Sequence, residues 1–307
     1  MAYLNREESK ELKLYRSLDA RMELTAQQKN RYYFIKKGYD GEVYFDLLAE
    51  KAGLDQKFYI LNDLLLKCDG TLFQIDSLMI TQHSVIVFEI KNYEYDYYFK
   101  DDNFYSRKTN HDINNPLHQL DRIQTLLRKL LRKIGLTLHV EGCVVFINPN
   151  FFLYQAPLND TIVYHSQLNR FIGELADKPA ELNNVHRKLA DFLLKENITD
   201  HPIRDLPTYS YDSLRKGVMS ACCYTLSVEG SGRMMVCSQC NHKESVETAV
   251  VRCVEELRLL FPEEKITTNI VYDWCGLDKH KRTIRRILSK QYQIVGHAMH
   301  AYYIDKK

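Results

Sequence analysis

Long apolar runs are missing from this 307-residue chain: stretches such as Val85–Phe88 and Cys143–Ile147 fall far short of the roughly 20 residues a membrane helix needs. The opening residues, Met-Ala-Tyr-Leu-Asn-Arg-Glu-Glu-Ser-Lys-Glu, carry charge where a signal peptide requires an apolar segment. The expectation is a cytoplasmic protein that does not enter a membrane. Charge of one sign is also missing, with 42 lysines and arginines against 40 acids, so any basic surface must come from local clustering. No internal repeat, low-complexity tract, serine nucleophile elbow or phosphate-cradling glycine loop is present, which disfavours those enzyme classes. What remains is an ordinary globular composition, 45% hydrophobic and 27% charged, able to bury a sizeable core.

Eight cysteines without an export signal do not suggest a disulfide framework, because cytosolic thiols stay reduced. Cys68, Cys143, Cys253 and Cys275 stand among apolar neighbours and read as small core residues, whereas Cys222, Cys223, Cys237 and Cys240 crowd one short stretch.

Along the chain, Leu12, Tyr15, Leu18 and Met22 at helical spacing predict an amphipathic helix or helical pair within 1–36. Lys37-Gly38-Tyr39-Asp40-Gly41-Glu42 is expected to break it, with a second helix over about 41–52 ending near Gly53. Three strands follow (Phe58–Leu66, Leu72–Thr81, Ser84–Lys91), then an aromatic, charged segment over Tyr93–Lys108 expected to form an irregular hairpin. Asn115-Pro116 reads as N-cap and first residue of a helix with Leu117, Leu120, Ile123, Leu127, Leu130 and Ile134 on one stripe, ending at Gly135. A buried strand over His139–Ile147, a strand at Thr161–Tyr164, and helices near 167–176 and 180–195 complete the first two thirds. His201–Tyr211, with Pro202 and Pro207, is the best linker candidate.

The chemistry concentrates on the strands around Asp76 and Glu89. If Gln82-His83 is a two-residue hairpin loop, residues whose numbers sum to 165 face each other, which sets Asp76 opposite Glu89 and Gln74 opposite Lys91 on one face. Two directly opposed carboxylates repel, and two explanations are open: a solvated sheet end, or a divalent cation between them. Lys91, two residues beyond Glu89, favours the second, because an acid followed by an acid-x-lysine suits metal-dependent phosphodiester hydrolysis. His83 and His111 read as surface residues rather than general bases.

Gly38-Tyr39-Asp40-Gly41-Glu42, Gln74-Ile75-Asp76, Phe88-Glu89-Ile90-Lys91-Asn92 and Asn115-Pro116-Leu117-His118-Gln119 resemble the successive motifs of the nuclease-related (NERD) domain, a branch of the PD-(D/E)xK nucleases, over roughly 36–150. The resemblance implies an α/β (α+β) restriction-endonuclease-like core with a mixed central sheet in α-β-β-β-α-β order. Asp76 and Glu89 would hold Mg (or Mn), Glu42 would be a third acid near the metal, Lys91 would act on the attacking water, and Gln119 would close the site. Taken singly, Glu42 also reads as an exposed acid in a helix's first turn and Gln119 as an ordinary solvated helix residue.

Cys237-Ser238-Gln239-Cys240 has zinc-knuckle spacing, with Cys222-Cys223 upstream across Gly230-Ser231-Gly232. A first cysteine of a C-x₂-C pair is missing, Met219 standing where relatives with this appendage carry it. Three readings are open: Cys222, Cys223, Cys237 and Cys240 bind zinc together; one of the adjacent pair binds with Cys237, Cys240 and His242; or the thiols are free. Beyond a helix near 245–260, Thr267-Thr268 opens a short helix ending at Gly276, and Asp278 is the expected N-cap of a basic helix with Lys279, Lys281, Arg282, Arg285, Arg286 and Lys290 off its Ile284/Ile287/Leu288 stripe. A hairpin around Gly296 completes the outline of a winged helix-turn-helix, in which the basic helix contacts DNA; the alternative is a solvated basic face. The basic half of the helix over 117–134 (Arg128, Lys129, Arg132, Lys133) carries the same ambiguity.

The domain expectation is a helical extension (1–36), a nuclease-like domain (37–200), a linker (201–215), a possible zinc ribbon (216–243) and a winged-helix-like, mainly helical region (244–307). The functional expectation is a metal-dependent nuclease acting on DNA in processing or defence. The alternatives are a catalytically silent DNA-binding protein with a nuclease-like fold, or a zinc-containing interaction adaptor.

Overall fold

The computed structural model describes residues 2–158, 160–199, 203, 205–231, 233–277, 281–297 and 300–306. The chain divides into two compact units, one comprising Met1–Glu8 and Phe34–Pro202, the other Ser9–Tyr33 and Ile203–Lys307. Among the described residues no helix is long and apolar enough to cross a membrane.

The helical pair expected at the N-terminus is α1 (Lys10–Arg21), N-capped by the Ser9 hydroxyl, and α2 (Ala26–Lys51). The break expected at residues 37–42 does not occur: α2 runs unbroken through Gly38 and Gly41. Packing explains the second glycine, since a Cβ at Gly41 would lie 2.6 Å from Asn92 Cβ. Closeness to the end of the third strand outweighs the roughly 1 kcal/mol that glycine costs inside a helix.

In the first unit, α3 (Leu54–Lys57) leads into β1 (Tyr59–Cys68), β2 (Thr71–Ile80) and β3 (Ser84–Lys91), an antiparallel meander. A small second sheet holds β4 (Tyr95–Lys100), β5 (Asn103–Ser106) and β6 (Asp112–Ile113), so the aromatic segment after Lys91 forms regular strands. Helix α4 (Pro116–Lys133) begins as the sequence predicts, Asn115 Oδ1 accepting from the Leu117 amide at 2.9 Å. It crosses to β7 (His139–Phe146), which pairs parallel with β3. Strand β8 (Phe151–Tyr154), which no sequence pattern announced, joins β4 in the second sheet; β9 (Ile162–Tyr164), α5 (Leu168–Ala176) and α6 (Asn184–Glu196) follow. The main sheet is therefore mixed, in the order β1-β2-β3-β7-β9.

Strand β3 lies at the centre of that sheet, buried along its length up to Lys91. Val85 and Val87 pack with Leu120, Ile123 and Leu127 of α4, while Ile86, Phe88 and Ile90 pack with Phe45 of α2 and Ile172 of α5. An apolar run covered on both faces is what a central strand between helical layers requires.

The second unit contains α1, the hairpin and third strand β10 (Val228–Ser231), β11 (Met234–Cys237) and β12 (Lys243–Ser245), then α7 (Val246–Leu260), α8 (Thr268–Cys275), α9 (Lys281–Gln291) and the hairpin β13 (Gln293–Val295) and β14 (Tyr302–Ile304). Asp278 and Lys279, expected to open the basic helix, lie outside the described residues, as do Pro202 and Gly232 of the expected linker and turn. Its core surrounds a buried ion pair: Arg21 donates to Glu256 from Nε (2.9 Å) and Nη2 (2.6 Å) and to the carbonyls of Arg215 and Gly217. The Arg21 guanidinium lies 3.9 Å from the Trp274 ring centroid, and the indole N–H donates to Glu256 at 3.1 Å. Cys253 and Cys275 are buried in this unit and Cys68 and Cys143 in the other, as core residues.

Removing one partner of a buried ion pair strands the other charge, at a cost of about 3–5 kcal/mol. Glu256→Ala should lower the stability of the second unit by that amount in denaturant unfolding followed through Trp274, the chain's single tryptophan. A loss below about 1 kcal/mol would show that water or another acid satisfies Arg21.

Candidate functional site

The hairpin register is the one the two-residue loop demands: Ile80 pairs with Val85, Met79 with Ile86, Leu78 with Val87 and Ser77 with Phe88. One step further Asp76 would oppose Glu89, but the ladder stops there. Asp76 Oδ2 instead accepts the Ile90 amide at 2.8 Å, a side chain closing the strand pair in place of a backbone carbonyl. On the other side of β2, the pairs Asn62–Ser77 and Leu64–Ile75 leave Asp63 and Asp76 out of the ladder, and Asp63 has φ of 54°. Strand alternation would put Ile75 and Leu78 on opposite faces, yet both enter the cluster packed against α4, so β2 changes face at Asp76. This twist overturns the expectation that Gln74 faces Lys91: Gln74 is exposed and donates to Asp63 Oδ1 at 2.7 Å.

Glu89 and Lys91 end β3 on the α4 side. Glu89 is 1% exposed, and Lys91 Nζ lies 2.5 Å from its Oε1 in an orientation that leaves both carboxylate oxygens without a directed hydrogen bond. Lys91 also donates to Gln119 Oε1 at 3.1 Å, which the Asn115-Pro116 start of α4 sets one turn into that helix. Burial, and then the neighbouring Asp76 charge, raise the Glu89 pKa to about 8 against the pull of Lys91. Burial raises Asp76 too, opposed by Lys91, the Ile90 amide and Arg6. Burial alone would lower Lys91, but Glu89 and Asp76 outweigh it and hold the lysine protonated.

Glu42 lies on α2, and its carboxylate is turned to a residue with no signal in the sequence. Arg6, its side chain 3% exposed, donates from Nη1 to Glu42 Oε2 (2.6 Å), from Nε and Nη2 to Asp46 (2.8 and 3.3 Å), and from Nη2 to the Asp76 carbonyl (2.7 Å). It reaches the site because residues 3–4 lie beside β1, with the Tyr3 and Leu4 amides donating to Ile60 O and the Asn62 amide to Leu4 O. Spacing within a motif cannot reveal an arginine that lies well before the first motif, which begins at Gly38. Burial raises the Glu42 pKa to about 8, followed by Asp76, with Arg6 opposing. Among the described residues, Glu42, Asp76 and Glu89 do not bring three carboxylate oxygens within 4.8 Å of one another. His83 and His111 are exposed, as expected of surface residues.

These donors suit a hard divalent cation. Glu89 Oε2 is buried without a hydrogen-bond partner while Oε1 meets the Lys91 ammonium, Asp76 stands close enough to raise the Glu89 pKa, and an orphaned buried acceptor is rare unless a further group serves it.

In the second unit, the Sγ atoms of Cys223, Cys237 and Cys240 lie within 4.8 Å of one another, with Cys223 and Cys237 at 3.6 Å. Cys222 is exposed and outside this cluster, and the half-buried His242 is also outside it. The Thr225 hydroxyl, followed by Ser220, lowers the Cys223 pKa to about 6. On α9, Lys281, Arg282, Arg285, Arg286 and Lys290 are exposed while Ile284, Ile287 and Leu288 are buried. Lys290 is engaged by Glu247 of α7 at 2.8 Å, leaving Arg282, Arg285 and Arg286 as members of the run without an ion pair among the described residues.

The raised Glu89 pKa gives stability a sign with pH. A carboxyl near 4.3 when unfolded and about 8 when folded contributes fully below the first value, and the contribution is lost as pH rises through the second. In chelator, Glu89→Gln should therefore match the parent near pH 4–5 and exceed it near pH 9 by at least about 1.4 kcal/mol, about 3 °C in Tm for a unit of this size. A difference that does not grow with pH would mean that Glu89 is ionised at no cost.

Comparison with known proteins bears on the same region. Residues 37–147 match the family model described as NERD, the nuclease-related domain. No curated protein and no solved structure matches the chain. The matched span starts on α2, contains Glu42, Asp76, Glu89, Lys91 and Gln119, and ends just after β7, so the acid-and-lysine fork and the family assignment coincide: residues 37–147 of this chain are a nuclease-related domain.

Proposed function

We propose that the first unit hydrolyses phosphodiester bonds in DNA with the help of Mg²⁺ (or Mn²⁺) held by Asp76 and Glu89. The observation that carries this reading is the buried Glu89 carboxylate, set between Asp76 and Lys91, with its Oε2 left without a hydrogen-bond partner. Bound there, the ion would polarise the phosphate and acidify a water. Lys91, kept protonated by the two acids, supplies a positive charge where negative charge develops on the phosphate oxygens. Gln119 fixes the Lys91 ammonium from the helix side. Glu42, tied to Arg6, stands behind Asp76 as part of an acidic second layer, and Arg6 braces the Asp76 backbone through its carbonyl.

We assign DNA holding to α9, where Arg282, Arg285 and Arg286 point to solvent beside Lys281. The alternative of a silent DNA-binding protein draws on one observation, the engagement of Glu42 by Arg6 in place of a third converging ligand.

Incubation with linear and circular DNA, with Mg²⁺ or with chelator, tests the reading. Asp76→Ala and Glu89→Ala should abolish Mg²⁺-dependent cleavage. Lys91→Ala should bind DNA as the parent does and cut on the order of 10²–10³ times more slowly. Cleavage by the parent in excess chelator, or full activity in Glu89→Ala, sinks the assignment.

The division of labour has its own measurement. Each phosphate contact adds about 0.9 to the slope of log affinity against log salt, so replacing Arg282, Arg285 and Arg286 together by Ala should flatten it by up to about 2.7. Cleavage should then recover at high DNA concentration and low salt. An unchanged slope would leave the basic run as a solvated face and shift DNA holding to Arg128, Lys129, Arg132 and Lys133 of α4.

A further inference from the structure

The sequence offers one C-x₂-C pair, but the structure contains two turns of the same form. In the turn at Cys237–Cys240, the Cys237 amide donates to His242 O (3.0 Å), the Asn241 amide donates to Cys237 O (3.0 Å), and Asn241 has φ of 57°. In the turn at Ser220–Cys223, the Ser220 amide donates to Thr225 O (2.8 Å), the Tyr224 amide donates to Ser220 O (3.2 Å), and Tyr224 has φ of 59°. A non-glycine residue with positive φ is uncommon, and here it recurs at the same step of both turns.

The side chains follow the backbone. The Cys240 amide, and with it that of Gln239, three and two residues on, holds the Cys237 thiol below its ordinary pKa. The amides two and three residues on from Ser220, those of Cys222 and Cys223, donate to Ser220 Oγ at 3.2 and 3.4 Å. The Thr225 amide favours the Cys223 thiolate, as the His242 amide favours that of Cys240. Position by position, Ser220 corresponds to Cys237 and Cys223 to Cys240. Met219, where the missing cysteine was expected, is instead buried and one residue too early.

We infer that Ser220 Oγ is the fourth donor of a zinc site whose other three are Cys223, Cys237 and Cys240. Tetrahedral zinc with Zn–S near 2.3 Å separates two sulfurs by about 3.8 Å, and an oxygen near 2.0 Å lies about 3.5 Å from a sulfur. The corresponding distances are 3.6 Å between Cys223 and Cys237 Sγ and 3.5 Å between Ser220 Oγ and Cys240 Sγ. Ser220 is fully buried, so its hydroxyl serves this cluster and not solvent. On binding, the thiol protons and the hydroxyl proton pass to solvent. The deprotonated oxygen then has three lone pairs, two for the Cys222 and Cys223 amides and one for the ion, as a thiolate has at Cys237. Zinc promotes that ionisation as it does for bound water. Oxygen in place of sulfur makes the site a weaker holder of zinc than a four-thiolate ribbon. Thr225 Oγ1 also lies 3.2 Å from Cys223 Sγ and 3.9 Å from Cys237 Sγ, but the correspondence of the turns matches it to His242 and matches Ser220, not Thr225, to a cysteine of the C-x₂-C pair.

The inference rests on the three thiols being a metal centre, and Co²⁺ titration of the reduced full-length chain tests both levels without reference to cleavage. The parent should bind one Co²⁺ with tetrahedral d–d bands and the charge-transfer intensity of three thiolates. Ser220→Cys should raise that intensity by about a third, move the d–d bands to longer wavelength, and hold zinc at least about tenfold more tightly; Ser220→Ala should weaken zinc binding by about tenfold or more. Cys222→Ser should behave as the parent. No tetrahedral Co²⁺ in the parent overturns the metal centre itself. A parent-like affinity and spectrum in both Ser220 variants overturns the serine assignment alone, and a loss in His242→Ala would then give the fourth place to that histidine.

Discussion

A carboxylate buried at the end of a strand covered on both faces is the constraint around which the first unit is arranged. Placing Glu89 out of water costs several kcal/mol, and the Lys91 ammonium against its Oε1 leaves Oε2 without a hydrogen-bond partner. An apolar residue there would pack better. The fold accepts the cost by anchoring β3 between two helical layers, so the strand cannot slide or fray to wet the carboxylate. Lys91, Gln119 and Asp76 are then fixed by strand end, helix start and ladder break respectively, all rigid elements, which is how a reactive arrangement is held in place.

Arg6 manages the charge behind this site. Asp76, Asp63 and Asp46 lie close enough to add to the burial that raises the Glu42 pKa, and without a buried cation so many acids would repel. A guanidinium answers this better than an ammonium, because its fork reaches two carboxylates and the Asp76 carbonyl together. The second unit repeats the device with Arg21, which spans Glu256, two carbonyls and the Trp274 ring.

Much of this was legible in the sequence for local reasons. The loop Gln82-His83 fixes a register because side chains alternate and both faces of β3 are apolar, so a slip by one residue would bury Glu89 among the α2 residues. Asn115-Pro116 fixes where α4 starts, and through it the place of Gln119, because capping and the proline ring act within a single turn. The acid, acid-x-lysine and Asn-Pro motifs thus carry their own geometry, and the apolar stripe of α9 likewise determines which of its faces bears the arginines.

Tertiary structure decided what depends on contacts distant in sequence. Gly38 and Gly41 look like a helix break, and only the proximity of Asn92 explains a glycine within an unbroken α2. Alternation along β2 puts Gln74 beside Lys91, and only the face change shared by Asp63 and Asp76 turns it away. Arg6 and Arg21 are single charges in a polar N-terminal stretch, and their partners lie up to 235 residues away. Ser220 has no motif of its own, since a serine three residues before a cysteine is commonplace; its correspondence to Cys237 exists only in two backbone turns that share the same hydrogen bonds and the same positive φ. Sequence determines which side chains are available and how neighbours along the chain are spaced, whereas the closing of distant segments determines which of them meet.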